Sequence, residues 1–512
     1  MPKARARAVS VHPLSQRTFI DCFCTPSAPH PDRVHAMQQQ HLLRISSWET
    51  TRAACYRERI KNVGMSPVGH KVLGRETMDR TLERSTMRKV YLRLLPFAIL
   101  SYVLAYIDRI NVSFAGLTMR GDLGMSAGTF GFAVGMFYWA YFLFEVPSNV
   151  ILEKVGARIW IARIMITWGI LAGLTAMVTG PTSFGIVRFL LGVAEAGFFP
   201  GIILYFTYWF PSYHHARIVS GFLVGLPVAV AIGAPISTAL LGLDGLFGLR
   251  GWQVMYIAEA IPTAVIGVIT FFVLTDRPAE AKFLTAEERN WLVNTIAAER
   301  RATERVRTFT LWQALYNPKV LLLALNYVGI VTASLGMLIF VPQMIKSLGD
   351  YSNMTVGWLT MIPYTCGAIA MVVWGRISDR MNERRWNLFI GCVFSTGGLV
   401  IAGMTMGTWW ALVGMSIAAM GFYGSKGPFF AMPPMFLSGA GLAAGIAWIN
   451  SIGNLGGFFG PWYVGVMKDL TGSYAGGLYG LALLGLFAAI VCALFLHIPN
   501  RMPSAAVGAP AE

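Results

Sequence analysis

From residue 94 onward the chain alternates between long apolar runs and short polar punctuation. The runs fall at 94–117, 127–150, 159–179, 183–206, 217–241, 253–274, 318–341, 355–376, 386–406, 409–431, 442–467 and 475–497. As α-helices, runs of this kind cross the roughly 30 Å hydrocarbon core of a bilayer, which takes about 20 residues. The pattern predicts an all-α membrane protein of twelve transmembrane helices. The longest polar stretch, Thr275–Thr310, follows the sixth run, and within it Thr285 is placed to cap a short helix carrying Glu287 and Glu288 in its first turn. The expected organisation is a six-helix bundle over 87–274, a cytoplasmic linker over 275–317 and a second six-helix bundle over 318–498.

Composition agrees with this and removes other classes. The 512 residues are 55% hydrophobic and 13% charged, and the mean hydropathy is +0.56, which excludes an ordinary soluble protein. The net charge of +16 lies largely in the first 86 residues and in short loops, so it predicts no nucleic-acid partner. Lysine and arginine instead set orientation. One side carries Lys154, Arg158, Arg217, Arg277 to Arg307, Arg376, Arg380, Arg384 and Arg385, and the other only Arg120, Arg250, Lys346 and Lys468. The rich side is expected to be cytoplasmic, with both termini inside a bacterial inner membrane.

Residues 1–86 are basic and lack the apolar core of a signal peptide. They read as a disordered tail or as an extension ahead of a native start at Met78 or Met87, and 499–512 as a disordered C-terminal tail. Cys22 and Cys24 have His12, His30 and His35 nearby, but no second spaced pair completes a metal site. No metal and no cofactor are expected.

Inside this apolar chain a few charges stand out. Arg188 and Glu195 are seven residues apart within the fourth run, so they share one helical face about 10 Å apart along the axis. Asp108-Arg109 lies near the middle of the first; adjacent residues diverge by about 100°, so one faces the centre while the other turns to a neighbour. Charges at that depth cost several kcal/mol unless paired or wet, and read first as functional. An arginine fork meets a carboxylate in two parallel hydrogen bonds and stays charged. A nearby carboxylate whose arginine is claimed by an incoming anion binds a proton more readily, so anion and proton bind cooperatively.

An internal repeat supports the six-plus-six division. After the second run stand Asn149, Glu153, Lys154, Gly156 and Arg158; after the eighth stand Gly375, Asp379, Arg380, Arg384 and Arg385. The spacing lets an acid at a helix end meet bases across a tight cytoplasmic turn.

These features, with Asp108-Arg109-Ile-Asn-Val-Ser, Glu145-Val-Pro-Ser-Asn149, Arg188 to Gly201 and Asn450 to Pro461, resemble the anion:cation symporter branch of the major facilitator superfamily. The resemblance covers residues 88–497, and Gly427 to Pro433 look most like members importing tartrate-like, aromatic or other carboxylates. Glu153 and Asn149 depart from the aspartate and glycine usual in the first loop. The resemblance implies the major facilitator fold and proton-coupled import of a small organic anion by alternating access, with the proton as coupling ion. Asp108 and Glu195 are then the proton carriers, Arg188 the main anion clamp and Arg109 its support.

Tyr141, Asn450 with Asn454 four residues on, and the intramembrane Lys426 are further substrate candidates. Their structural alternatives are a packed aromatic, glue between helices, and a lysine that snorkels to the cytoplasmic surface. Glu145 and Glu259 are read as structural groups near helix ends. The partners expected are the substrate anion and the bilayer, with the chain monomeric. The rivals are an antiporter or exporter of amphipathic compounds and a non-transporting sensor, the second weakened by the lack of a soluble output domain. No nucleophile–base constellation or phosphate-cradling loop suggests an enzyme.

Overall fold

The computed structural model describes residues 67–496 other than 224, 306–312, 314, 382 and 438. The expectations for both tails, including Cys22, Cys24 and Cys55, therefore lie outside the described residues for 1–66 and 499–512. Every candidate membrane span lies between Thr81 and Phe495.

The helices are α1 Pro67–Ala115, α2 Ala127–Val155, α3 Ala157–Leu174, α4 Pro181–Glu195, α5 Phe198–Trp209, α6 Ser212–Leu223, α7 Gly225–Leu241 and α8 Gly251–Val273 in the first half. The linker carries α9, Ala286–Arg305. The second half holds α10 Pro318–Lys346, α11 Asn353–Met381, α12 Arg385–Met404, α13 Trp410–Gly424, α14 Lys426–Phe430, α15 Gly439–Asn454, α16 Gly456–Thr471 and α17 Ala475–Phe495. Among the described residues, ten spans are long and apolar enough to cross a membrane. The tenth and eleventh predicted runs complete the twelve, each divided into two shorter helices, α13/α14 and α15/α16.

The bounds differ from the apolar runs where water rather than lipid surrounds the helix. Residues 81–93 of α1 are helical although polar, because a helix rich in Arg, Glu, Leu and Lys needs no apolar surroundings to continue past the bilayer. The fourth run is not one helix. It breaks after Glu195 at Gly197, whose φ of +88° favours glycine, and Pro200 follows in the first turn of α5, where its missing N–H costs nothing.

Local chemistry fixes the ends. Ser126 Oγ accepts from the Thr129 N–H at 3.1 Å to start α2, and Asn317 accepts from the Lys319 N–H at 2.9 Å to start α10. In the linker, Thr285 and Glu288 cap each other reciprocally at 3.2 and 3.0 Å. Glu288 also accepts from Lys89 at 2.8 Å and Ser85 at 2.7 Å, which ties α9 to α1.

The helices turn apolar side chains outward and charges inward. In α4, Ile186 and Leu190 are exposed while Arg188, Gly192 and Glu195 are buried, the distribution expected when the surroundings are hydrocarbon. Within the first half α2 packs on α4 and α3 on α8; within the second α12 packs on α13 and α17. The halves meet along α2 against α15 and α16, and along α7 against α11. These two seams are equivalent under the six-plus-six repeat.

Candidate functional site

The site is assembled on α1, α2 and α4. Gly192 lets α4 approach closely, since a Cβ there would lie 2.2 Å from the Phe137 carbonyl oxygen. That approach sets the Arg188 guanidinium 5.0 Å from the Phe137 ring. Arg188 is 1% exposed, its Nε is buried without a partner, and it forms no ion pair among the described residues. Cation–π attraction, roughly 0.5–2 kcal/mol, replaces only part of the hydration it has lost.

Arg109 behaves differently. It reaches across from α1 to an ion pair with Glu195, and its guanidinium sits 5.2, 5.3 and 5.4 Å from the rings of Tyr106, Phe137 and Tyr141. The break after Glu195 leaves that carboxylate at a helix end. Of the pair, Arg109 is the more accessible, 16% against 2% for the glutamate side chain.

The adjacent Asp108 turns the other way. Its Oδ2 accepts from Thr263 Oγ1 of α8 at 2.7 Å, and its Oδ1 is buried without a partner. Asp108 and Glu195 are thus both buried, but in different surroundings.

Two acids read from sequence as lying near helix ends are deep inside helices, which corrects that expectation. Glu259 accepts from Asn111 at 2.9 Å and Ser237 at 2.6 Å, joining α1, α7 and α8. Glu145 accepts from Asn450 at 2.9 Å and Ser451 at 2.6 Å, so a carboxylate of α2 is held by two neutral donors of α15 in the other half. Sequence distance hid both: an apolar run with one acid does not show which helix it faces.

In the second half, Lys426 begins α14 with its ammonium 4.9 Å from the Tyr423 ring. It forms no ion pair among the described residues and lies within electrostatic reach of Arg109. Asn450 bonds Glu145, whereas the Asn454 side chain forms no hydrogen bond among the described residues, although both share one face of α15. Tyr141 is buried against Arg109. Sequence reasoning missed Tyr102, Tyr327, Tyr364 and Tyr423, all buried; their only signal was tyrosine inside an apolar run.

The two loop signatures fold within their own halves. Gly156 takes φ +102° between α2 and α3, and a Cβ would meet Asp276 at 2.9 Å. Asp276 accepts from the Arg158 N–H at 2.8 Å and lies 3.8 Å from its guanidinium. The acid that meets Arg158 is therefore Asp276 and not Glu153, which is exposed, as is Lys154. The turn at Gly156 directs the start of α3 toward the end of α8 instead of back toward α2. In the second half, Asp379 pairs with Arg384 at 2.6 Å as the spacing suggested, Arg380 is exposed, and Gly375 has open space beside it.

At the end remote from the basic loops the halves are locked. Asp469 of α16 accepts from the Ala127 and Gly128 N–H groups at 2.9 and 2.7 Å, so it caps α2 from the opposite half. A Cβ on Gly131 would lie 2.2 Å from the Pro461 carbonyl oxygen, and Gln343 donates to the Ser113 carbonyl at 2.9 Å. This end is closed by backbone-to-backbone approach.

Residues 98–461 match the profile of the Major Facilitator Superfamily. A protein of Agrobacterium vitis named as a tartrate transporter is 50% identical over 410 residues, 80% of this chain and 91% of that one. A quinolone resistance transporter of Acinetobacter baumannii is 38% identical over 409 residues, 80% and 94% of the two chains. Among solved structures, the chain resembles a bacterial homologue of the human lysosomal transporter Spinster, inward-facing and unoccupied. The TM-score is 0.66 at 16% identity, covering 79% of this chain and 95% of that one, a likeness of fold.

Proposed function

Because the chain belongs to the major facilitator superfamily and is a multi-pass membrane transporter, not an enzyme, we propose that it imports a small organic carboxylate together with protons. The substrate class is a tartrate-like hydroxy acid, a sugar acid or an aromatic acid. One observation carries the reading: Arg188, buried and in no ion pair among the described residues, stands beside an arginine already paired to an acid, Arg109 with Glu195.

An entering carboxylate is clamped by Arg188 through a bidentate contact, which gives this buried guanidinium the ion pair it lacks among the described residues. Arg109 is drawn to the same anion and loosens its hold on Glu195. Glu195 then takes up a proton, and the anion binds more tightly when it does, because coupling between two binding events is reciprocal. Asp108, held by Thr263 through one oxygen only, is the second proton position. Lys426, Tyr141, Asn450 and Asn454 contribute contacts that select the substrate. The two bundles rock about this site, as in transporters with paired repeats. The chain acts as a monomer in a bacterial inner membrane with both termini cytoplasmic, and the proton is its only cofactor.

The test is uptake into proteoliposomes with an imposed pH gradient, screened against hydroxy, sugar and aromatic acids. Glu195→Gln is expected to abolish gradient-driven accumulation while leaving substrate exchange at equal pH; intact accumulation would remove the proton assignment. The relative named for quinolone resistance favours a second reading, export of larger amphipathic compounds by antiport. In the same vesicles that reading predicts proton movement opposite in direction to substrate.

A further inference from the structure

Glu145 is the buried acid that the coupling scheme leaves unused. It is 2% exposed, and no cation forms an ion pair with it among the described residues. Each of its carboxylate oxygens instead accepts one hydrogen bond from the other bundle: Asn450 Nδ2 at 2.9 Å and Ser451 Oγ at 2.6 Å.

Other polar contacts between the halves run to the backbone or, as from Arg120 to the Tyr474 hydroxyl at 3.5 Å, pair single side chains. Gln343 donates to a carbonyl, and Asp469 accepts from two amides. Here two neutral side-chain donors on adjacent residues converge on the two oxygens of one carboxylate. That is a pre-built carboxylate site. We infer that Asn450 and Ser451 form a carboxylate subsite of the second bundle, occupied in this structure by the protein's own Glu145. The inference rests on the carboxylate reading above and deepens it.

The placement gives the subsite a purpose. Glu145 lies one helical turn beyond Tyr141 on the same face of α2, and the Tyr141 ring is 5.4 Å from the Arg109 guanidinium. A substrate with two carboxylates can place one on the arginines of the first bundle and the other on Asn450 and Ser451, displacing Glu145. Neutral donors hold a carboxylate by hydrogen bonds alone, so replacing one carboxylate by another nearly conserves those bonds. Binding then breaks a bond between the bundles and substitutes the substrate as the bridge. An acid with a single carboxylate fills the arginine site and leaves Glu145 in place.

The test is equilibrium binding to the purified full-length chain, with radiolabelled tartrate for two carboxylates and lactate for one. Removing the internal competitor in Glu145→Ala is expected to tighten tartrate binding about tenfold, and Glu145→Gln, which keeps one acceptor oxygen, by less. Asn450→Ala and Ser451→Ala are expected to weaken tartrate binding about tenfold. Lactate binding should move with neither Glu145 variant and not with Ser451→Ala. If the wild type binds tartrate and Glu145→Ala and Glu145→Gln leave its affinity unchanged or weaker, Glu145 is a fastener between the bundles and the subsite is overturned, with the carboxylate reading intact. If the wild type binds neither acid, the carboxylate reading fails and the subsite with it.

Discussion

The two bundles repeat one architecture but divide the chemistry unequally. Every buried charged side chain among the described membrane-spanning residues, namely Asp108, Glu145, Arg188, Glu195 and Glu259, belongs to the first half. The corresponding depth of the second half holds tyrosines, amides and hydroxyls, such as Tyr327, Tyr364, Asn326, Thr332 and Ser451, with Lys426 as its partly buried cation. Ionised groups in a low-dielectric setting must be positioned against each other to be tolerable. Gathering them in one bundle makes their mutual geometry independent of the seam between the halves. Neutral hydrogen-bonding groups tolerate making and breaking contacts at far lower cost, which is the chemistry the second half presents to the first.

The comparison breaks if charge in the two halves proves interchangeable. Arg188→Ala is expected to lower substrate uptake by about a hundredfold or more, and Arg188→Lys to restore little, because a point charge does not reproduce the planar fork. Lys426→Ala is expected to cost only about tenfold. Equal losses in the vesicle assay would end the assignment of distinct roles.

The seam sharpens it next. Asp469→Ala leaves the first amides of α2 without acceptors when that end is closed, a loss of about 2 kcal/mol. Gly131→Ala forces α2 off Pro461, at about 1–3 kcal/mol. Both are expected to shift the protein toward the conformation open at that end by roughly tenfold or more. Labelling of a cysteine placed near Gln343 reads the shift, and an unchanged labelling rate would mean that this end does not open.

The smallest effect concerns the linker, which belongs to neither bundle. Burial alone would raise the Glu288 carboxyl, but hydrogen bonds from Lys89, Ser85 and the Thr285 N–H outweigh it and bring the group to about 2. A carboxyl depressed on folding stabilises above its unfolded pKa and loses that contribution as pH falls through the folded one. The docking of α9 is therefore complete above the ordinary carboxylate range and lost as pH falls toward about 2. Glu288→Gln is expected to lower stability by about 1 kcal/mol at neutral pH, read as a Tm drop of a few degrees that vanishes in acid.

Hydrophobic runs were enough to give the membrane class and the spans, because the preference of a side chain for lipid or water is nearly a property of that residue alone, and local spacing was enough to give the capping role of Thr285. The same is true of the intramembrane charges Asp108, Arg109, Arg188 and Glu195, which stand out against their neighbours without any knowledge of the fold. Partnership is a property of two surfaces, and only the tertiary structure decided it. That Arg109 rather than Arg188 holds Glu195, that Asp108 turns to Thr263, that Arg158 meets Asp276 rather than Glu153, and that Glu145 lies under Asn450 and Ser451 all depend on which helix faces which. A break as small as that at Gly197 redirects a helix end toward its neighbours, and the energies that choose among such pairings arise from contacts far apart along the chain.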